Sequence, residues 1–201
     1  MKRIVYTLTL ALALLAISTP SQAQKKNNWF VGTGIGCNFM YDNLRFSSPT
    51  PAGQLYVGDW FNPSVGFRTA IHGLMGKPAD PQDNWFSEDT VFGLFQLHLD
   101  GMWAFMNSFT HYNINRYWNP SLYLRVSGLL ATSLGNNVAS FGVGGGWLNL
   151  FRVSDFMSIA IDLNAIVANE KPFRSNYDHF TPAIFGSATV GVVFDLGHRG
   201  F

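Results

Sequence analysis

Residues 181–196, TPAIFGSATVGVVFDL, alternate along their length. Even positions are mostly apolar: Ile184, Ala188, Val190, Val192, Phe194 and Leu196. Odd positions are mostly small or polar: Thr181, Ala183, Ser187, Thr189, Gly191 and Asp195. A period of two marks a strand whose two faces meet different surroundings. The segment exceeds the ~5–6 residues of ordinary soluble strands and reaches the ~9–11 that cross a bilayer at a tilt.

The alternation recurs upstream, predicting strands over 29–40, 54–59, 64–74, 90–105, 121–132, 139–150 and 156–167. In the first, Gly32, Gly34, Gly36 and Asn38 share one face, and Val31, Thr33, Ile35, Cys37 and Phe39 share the other. Val65, Phe67, Thr69 and Ile71 oppose Gly66, Arg68, Ala70 and His72. Phe95, Leu97, Leu99, Trp103 and Phe105 oppose Gln96, His98, Asp100, Met102 and Ala104. Leu122, Leu124, Val126 and Leu130 oppose Tyr123, Arg125 and Ser127, and Met157, Ile159, Ile161, Leu163 and Val167 oppose Ser158, Asp162 and Asn164. With the closing segment this makes eight strands, the arithmetic of an all-β, antiparallel, up-and-down transmembrane β-barrel. An even count puts both chain termini on one side, the periplasm. The connections 60–63, 106–120 and 151–155 are then periplasmic, and 42–53, 76–89 and 169–180 are external loops.

Composition sharpens this picture. Residues 1–23 read as a signal peptide: Lys2 and Arg3, an apolar run from Ile4 to Ile17, and a Ser21-Gln22-Ala23 cleavage site. The mature barrel domain is then 24–201, exported to the cell outer membrane. Removing Lys2 and Arg3 changes the formal charge from +1 to −1 (+1 − 2), so no basic excess points to nucleic acid. Only 12% of residues are charged, against about a quarter in soluble domains. After Ala23 no apolar run approaches the ~20 residues of a spanning helix. The single cysteine, Cys37, falls on the apolar face and has no partner for an internal disulfide. Trp29, Trp60, Phe61, Trp85, Phe86, Trp103, Tyr117 and Trp118 sit near strand ends, where a membrane interface would take aromatic rings.

The candidate chemistry lies on the polar faces. Arg68, His72, Gln96, His98, Asp100, Arg125, Asp162, Asn164 and Asp195 all point to the predicted interior. Eight strands leave a lumen just wide enough for side chains, so these charges must pair with one another. The expectation is a polar plug that sets strand register, with a proton path, a gate or a catalytic cluster as the sharper alternative. A lipid A-modifying enzyme would use His98 and Asp100, which share a face, with a serine in hydrogen-bond reach. Ser127, across the lumen, is the one candidate, and the chain has no His-x-Ser pair. Asp80, Asp83, Glu88 and Asp89 lack the spacing of an EF-hand, and no cofactor or metal is expected.

Within the closing strand, Thr189-x-Gly191-x-x-Phe194-x-Leu196 resembles the signal that barrel-assembly machinery reads on the last strand of outer-membrane barrels. Other pieces are Val57-Gly58-Asp59-Trp60-Phe61-Asn62-Pro63 with Val65-Gly66-Phe67-Arg68, then Asn107-x-Phe109, Arg116-Tyr117-Trp118 and Leu150-Phe151-Arg152-Val153-Ser154-Asp155. In this order and spacing they resemble the small OmpA-type barrels of Bacteroidetes. Many members of that family carry a peptidoglycan-binding domain after the barrel, whereas only 197–201 follow Leu196 here. The resemblance therefore implies a barrel without a cell-wall tether. Outer-membrane lipid and the assembly machinery are the expected partners, with other outer-membrane proteins as further candidates. The expected role is non-enzymatic, structural or in surface contact, against the alternatives of a lipid A-modifying enzyme and a narrow pore.

Overall fold

The computed structural model describes residues 28–42, 45–46, 49–74, 94–110, 113, 115–133, 136–169 and 182–196. The signal-peptide expectation for 1–23 lies outside these residues, as do Trp85, Phe86, Asp80, Asp83, Glu88, Asp89 and most of the expected external loops. Among the described residues nine strands follow one another: β1 (Trp29–Asp42), β2 (Arg45–Phe46), β3 (Thr50–Trp60), β4 (Val65–Leu74), β5 (Leu94–Trp103), β6 (Trp118–Ser133), β7 (Asn136–Arg152), β8 (Met157–Asn169) and β9 (Pro182–Asp195). β2 is a two-residue return against the end of β1. The other eight pair in chain order, every pair antiparallel, and β9 pairs with β1 to close the sheet. The fold is a closed eight-stranded antiparallel barrel, so no long strand keeps an unpaired edge.

Strand limits differ from the sequence reading in ways that proline and the rim explain. β3 begins at Thr50 and β6 at Trp118, so Pro51 and Pro120 lie inside strands. Pro120 sits where one flank is unpaired: pairing of β6 with β5 stops at Leu122. A residue without an N–H is tolerated at such a position. The strand expected over 90–105 ends at Trp103, and Phe105–Phe109 instead forms one helical turn, α1.

Both ends of the barrel's chain meet at one rim, where the Leu196 N–H donates to the Trp29 carbonyl at 2.8 Å. That rim is tied by its connections. Asn62 Oδ1 accepts from the N–H groups of Ser64 and Val65, both at 2.8 Å. Asn107 Nδ2 donates to the Pro63 carbonyl at 2.6 Å, while Arg116 Nη1 donates to Asn107 Oδ1 at 2.7 Å. Arg152 Nη2 pairs with Asp155 Oδ1 at 2.7 Å across the β7–β8 turn. The motif residues Asn107, Arg116, Arg152 and Asp155 are thus rim clasps. The connection between β5 and β6, long for a simple turn, is folded against the barrel end by Asn107 and Arg116.

The two faces separate as the alternation required. Ile35, Leu124 and Phe141 stand on the outside at 76%, 79% and 81% exposure, whereas Arg68, Asp100 and Arg125 are buried at 0–1%. Cys37 is exposed on the outer face. Trp60 departs from its expected place at a membrane interface. It is buried inside the lumen, because it continues the inward file of β3 beyond Tyr56 and lies against the bare backbone of Gly66.

Candidate functional site

Inward positions change character along the strands. Along β5, inward positions read Met102, Asp100, His98 and Gln96 from the terminal rim; along β8 they read Ala160, Asp162, Asn164 and Ile166. Nearest the rim lies an apolar layer built from Phe30, Trp60, Met102, Leu148, Leu150 and Val193. At the opposite end Leu129, Ile166, Ala168, Ala183 and Phe185 form a second one. Inward of the first cluster lie the ionic groups Arg68, Asp100, Arg125 and Asp162, each buried at 0–1% exposure.

The ionic layer follows from register. Arg68 on β4 pairs with Asp100 on β5, and Asp100 pairs with Arg125 on β6. Three consecutive strands therefore present plus, minus, plus at one level. Arg68 Nε and Nη2 donate to Asp100 Oδ2 at 2.8 and 2.6 Å. Arg125 Nε donates to Asp100 Oδ1 at 2.7 Å and Nη2 to Oδ2 at 2.9 Å. The second carboxylate comes across the lumen, where Arg68 Nη1 reaches Asp162 Oδ2 at 2.9 Å. Two arginines and two aspartates leave the layer formally neutral. Such groups are tolerated in a dry interior only when charge and hydrogen bonds are both matched.

Glycine and tyrosine build the rest of this layer. Tyr123 on β6 faces Gly146 on β7 in register, and a Cβ at Gly146 would collide with the tyrosine ring. The missing side chain lets Tyr123 lie over β7 and donate its hydroxyl to Asp162 Oδ1 on β8 at 2.6 Å. Tyr56 lies over Gly32 of β1 in the same way. The Arg68 guanidinium then sits between the two rings, 4.9 Å from the centroid of Tyr56 and 4.7 Å from that of Tyr123. Desolvated contacts of this kind are worth roughly 2 kcal/mol. A face-by-face reading of the sequence placed Tyr123 inward but did not join it to the charges. The signal that could have done so is the pairing of strand glycines with inward aromatics on the next strand.

The remaining polar residues form separate small groups. His72 Nε2 lies 3.1 Å from Asn38 Oδ1, and the His72 and His98 rings are 6.3 Å apart. Gln96 donates to the Ser127 hydroxyl at 2.9 Å, and Asn164 donates to the Ser187 hydroxyl at 2.6 Å. Gln54 donates to the Thr189 hydroxyl at 2.6 Å, so the first residue of the closing-strand motif is a buried lumen group. Gly191 sits at the seam, where an added Cβ would meet the Thr33 carbonyl oxygen, and Phe194 and Leu196 point outward. Asp195 is half-buried at the terminal rim, in register with Phe30.

The triad geometry of a hydrolase is not assembled here. His98 Nε2 is 3.9 Å from Asp100 Oδ2, beyond hydrogen-bond length, and that carboxylate is occupied by two guanidiniums. Ser127 lies directly opposite His98 on the neighbouring strand, but its hydroxyl accepts from Gln96. Among the described residues no group of three or more His, Cys, Asp or Glu side chains is placed to hold a metal ion.

In solved structures the fold recurs. Neisserial surface protein A superposes with a TM-score of 0.61 at 12% identity, over 84% of this chain and 97% of that one. The N-terminal β-barrel domain of Pseudomonas aeruginosa OprF superposes with a TM-score of 0.51 at 10% identity, over 86% of this chain and all (100%) of that one. At these identities the likeness is one of fold. No protein-family model matches the chain, and no curated protein matches it.

Proposed function

We propose that the chain is an integral outer-membrane barrel with a structural or surface-contact role and no catalytic activity. The observation that carries this reading is the inversion of its two faces. Large apolar side chains such as Ile35, Leu55, Leu97, Leu124, Val126 and Phe141 are exposed around the outer wall, while the ionic groups are sealed inside. Soluble monomers seldom expose an apolar patch above a few hundred Å², and a continuous apolar wall is what hydrocarbon would wet. The rim that holds the chain ends would face the periplasm and the opposite rim the outside. The expected partners are lipid and, during insertion, barrel-assembly machinery acting on Thr189, Gly191, Phe194 and Leu196.

Two further features support a passive body. The mutually paired Arg68, Asp100, Arg125 and Asp162 fill the middle of the lumen and oppose ion flow, against a narrow pore. The buried and occupied Asp100 argues against its service to His98 in lipid A chemistry. The test is extraction and electrophoresis of the mature protein from outer membranes. It should need detergent, run faster unheated than boiled, and give no conductance in planar bilayers. A monomer soluble without detergent would sink the membrane reading. Altered lipid A in a deletion strain would sink the non-enzymatic one.

A further inference from the structure

Above the ion pairs, the lumen holds polar atoms that no protein group satisfies. They are Asn38 Nδ2, Gln54 Oε1, His72 Nδ1, both nitrogens of His98, and Arg125 Nη1. All five residues are buried, His98 at 2% exposure and Arg125 at 1%. They are also neighbours: Gln54 is in register with His72, His72 contacts Asn38, and the two imidazoles lie 6.3 Å apart. Ser127, two residues along β6 from Arg125 on the same inward face, is in register with His98. Buried polar groups left without partners forfeit their hydration and gain nothing in return, so native proteins rarely leave several together.

The chemistry of these atoms selects the occupant. Arg125 Nη1 and an amide nitrogen can only donate, Gln54 Oε1 can only accept, and a neutral imidazole does one at each nitrogen. An anion would satisfy the donors and abandon the acceptors. A metal cation would use the imidazoles but stand beside Arg125 with no carboxylate to spare, since Asp100 and Asp162 are engaged by Arg68, Arg125 and Tyr123. The ionic layer is already neutral, so an added ion would bring an unmatched charge into a low-dielectric site. Water both donates and accepts, carries no charge, and typically makes about three hydrogen bonds when buried. We propose that the lumen binds a cluster of internal water molecules between His72, His98 and Arg125. This inference rests on the barrel interior and is independent of the membrane reading.

The experiment is diffraction from crystals of the detergent-solubilised protein soaked in sodium bromide, at a resolution that shows ordered solvent. Solvent peaks within hydrogen-bond distance of the His98 nitrogens and Arg125 Nη1, without anomalous signal, are the expected result. A bromide peak there would overturn the proposal in favour of an anion site. Side chains closing on one another with no solvent between them would overturn it outright. In solution, oxygen-17 relaxation dispersion should report fewer long-lived internal waters in His98→Phe than in the wild type. An unchanged number in a folded His98→Phe barrel would also refute it.

Discussion

The lumen contains two kinds of packing, one inward position apart on the same strands. At the terminal rim, Phe30, Trp60, Met102 and Leu148 fill space and ask only for shape. One step further in, Arg68, Asp100, Arg125 and Asp162 ask for complete pairing, because each is buried at 0–1% exposure. The apolar layer tolerates loss in proportion to the volume removed. The ionic layer is all or nothing, because removing one member leaves another charged and dry.

The largest effect is therefore expected at the centre of the ionic layer. Asp100→Asn removes the one carboxylate shared by both arginines and should destabilise the barrel by about 3–5 kcal/mol. The fraction running at the folded position on unheated gels, followed through a urea series, measures it. Replacing Arg68, Asp100, Arg125 and Asp162 together by Met and Leu should cost less than Asp100→Asn alone. If the quadruple variant is the worse one, the contrast between the layers fails. Trp60→Ala in the apolar layer should come next, at roughly 3 kcal/mol from lost burial and a cavity. The same urea series reads it, and bilayer recordings of the folded variant test whether Trp60 helps seal that end.

The outer wall supplies the next comparison. Leu124→Arg, at the middle of β6, should cost about 2–4 kcal/mol in lipid if hydrocarbon meets this face. A negligible cost in bilayers would contradict the membrane reading. The smallest pair sets the closing seam against the open wall. Gly191→Ala should cost about 1–3 kcal/mol, since its Cβ meets the Thr33 carbonyl and a backbone must move. Gly101→Ala should stay within about 0.5 kcal/mol, since nothing lies within 4 Å of the added Cβ. Equal folding yields of the two variants would show that the seam is not tight.

Much of this molecule is legible in its residue order, because strand alternation is a local property. Whether a side chain faces in or out follows from the parity of its position, and on that basis Arg68, His98, Asp100, Arg125 and Asp162 were already assigned to the interior. Eight strands in meander order follow from the same pattern with the turns between them. Strand ends were less legible: Pro51 and Pro120 look like breaks until the strands that run through them are seen, and Trp60 looks like an interface anchor until its file of inward neighbours is seen. The contacts within the lumen were out of reach. Arg68 and Asp162 are 94 positions apart in the chain, and their bond depends on the closed sheet bringing β4 opposite β8. Tyr123 reaches Asp162 only because register sets Gly146 beneath its ring. Parity needs knowledge of one strand alone, whereas register and closure need all eight at once. The sequence alone therefore settled which residues share the interior, and only the folded barrel decided which of them meet.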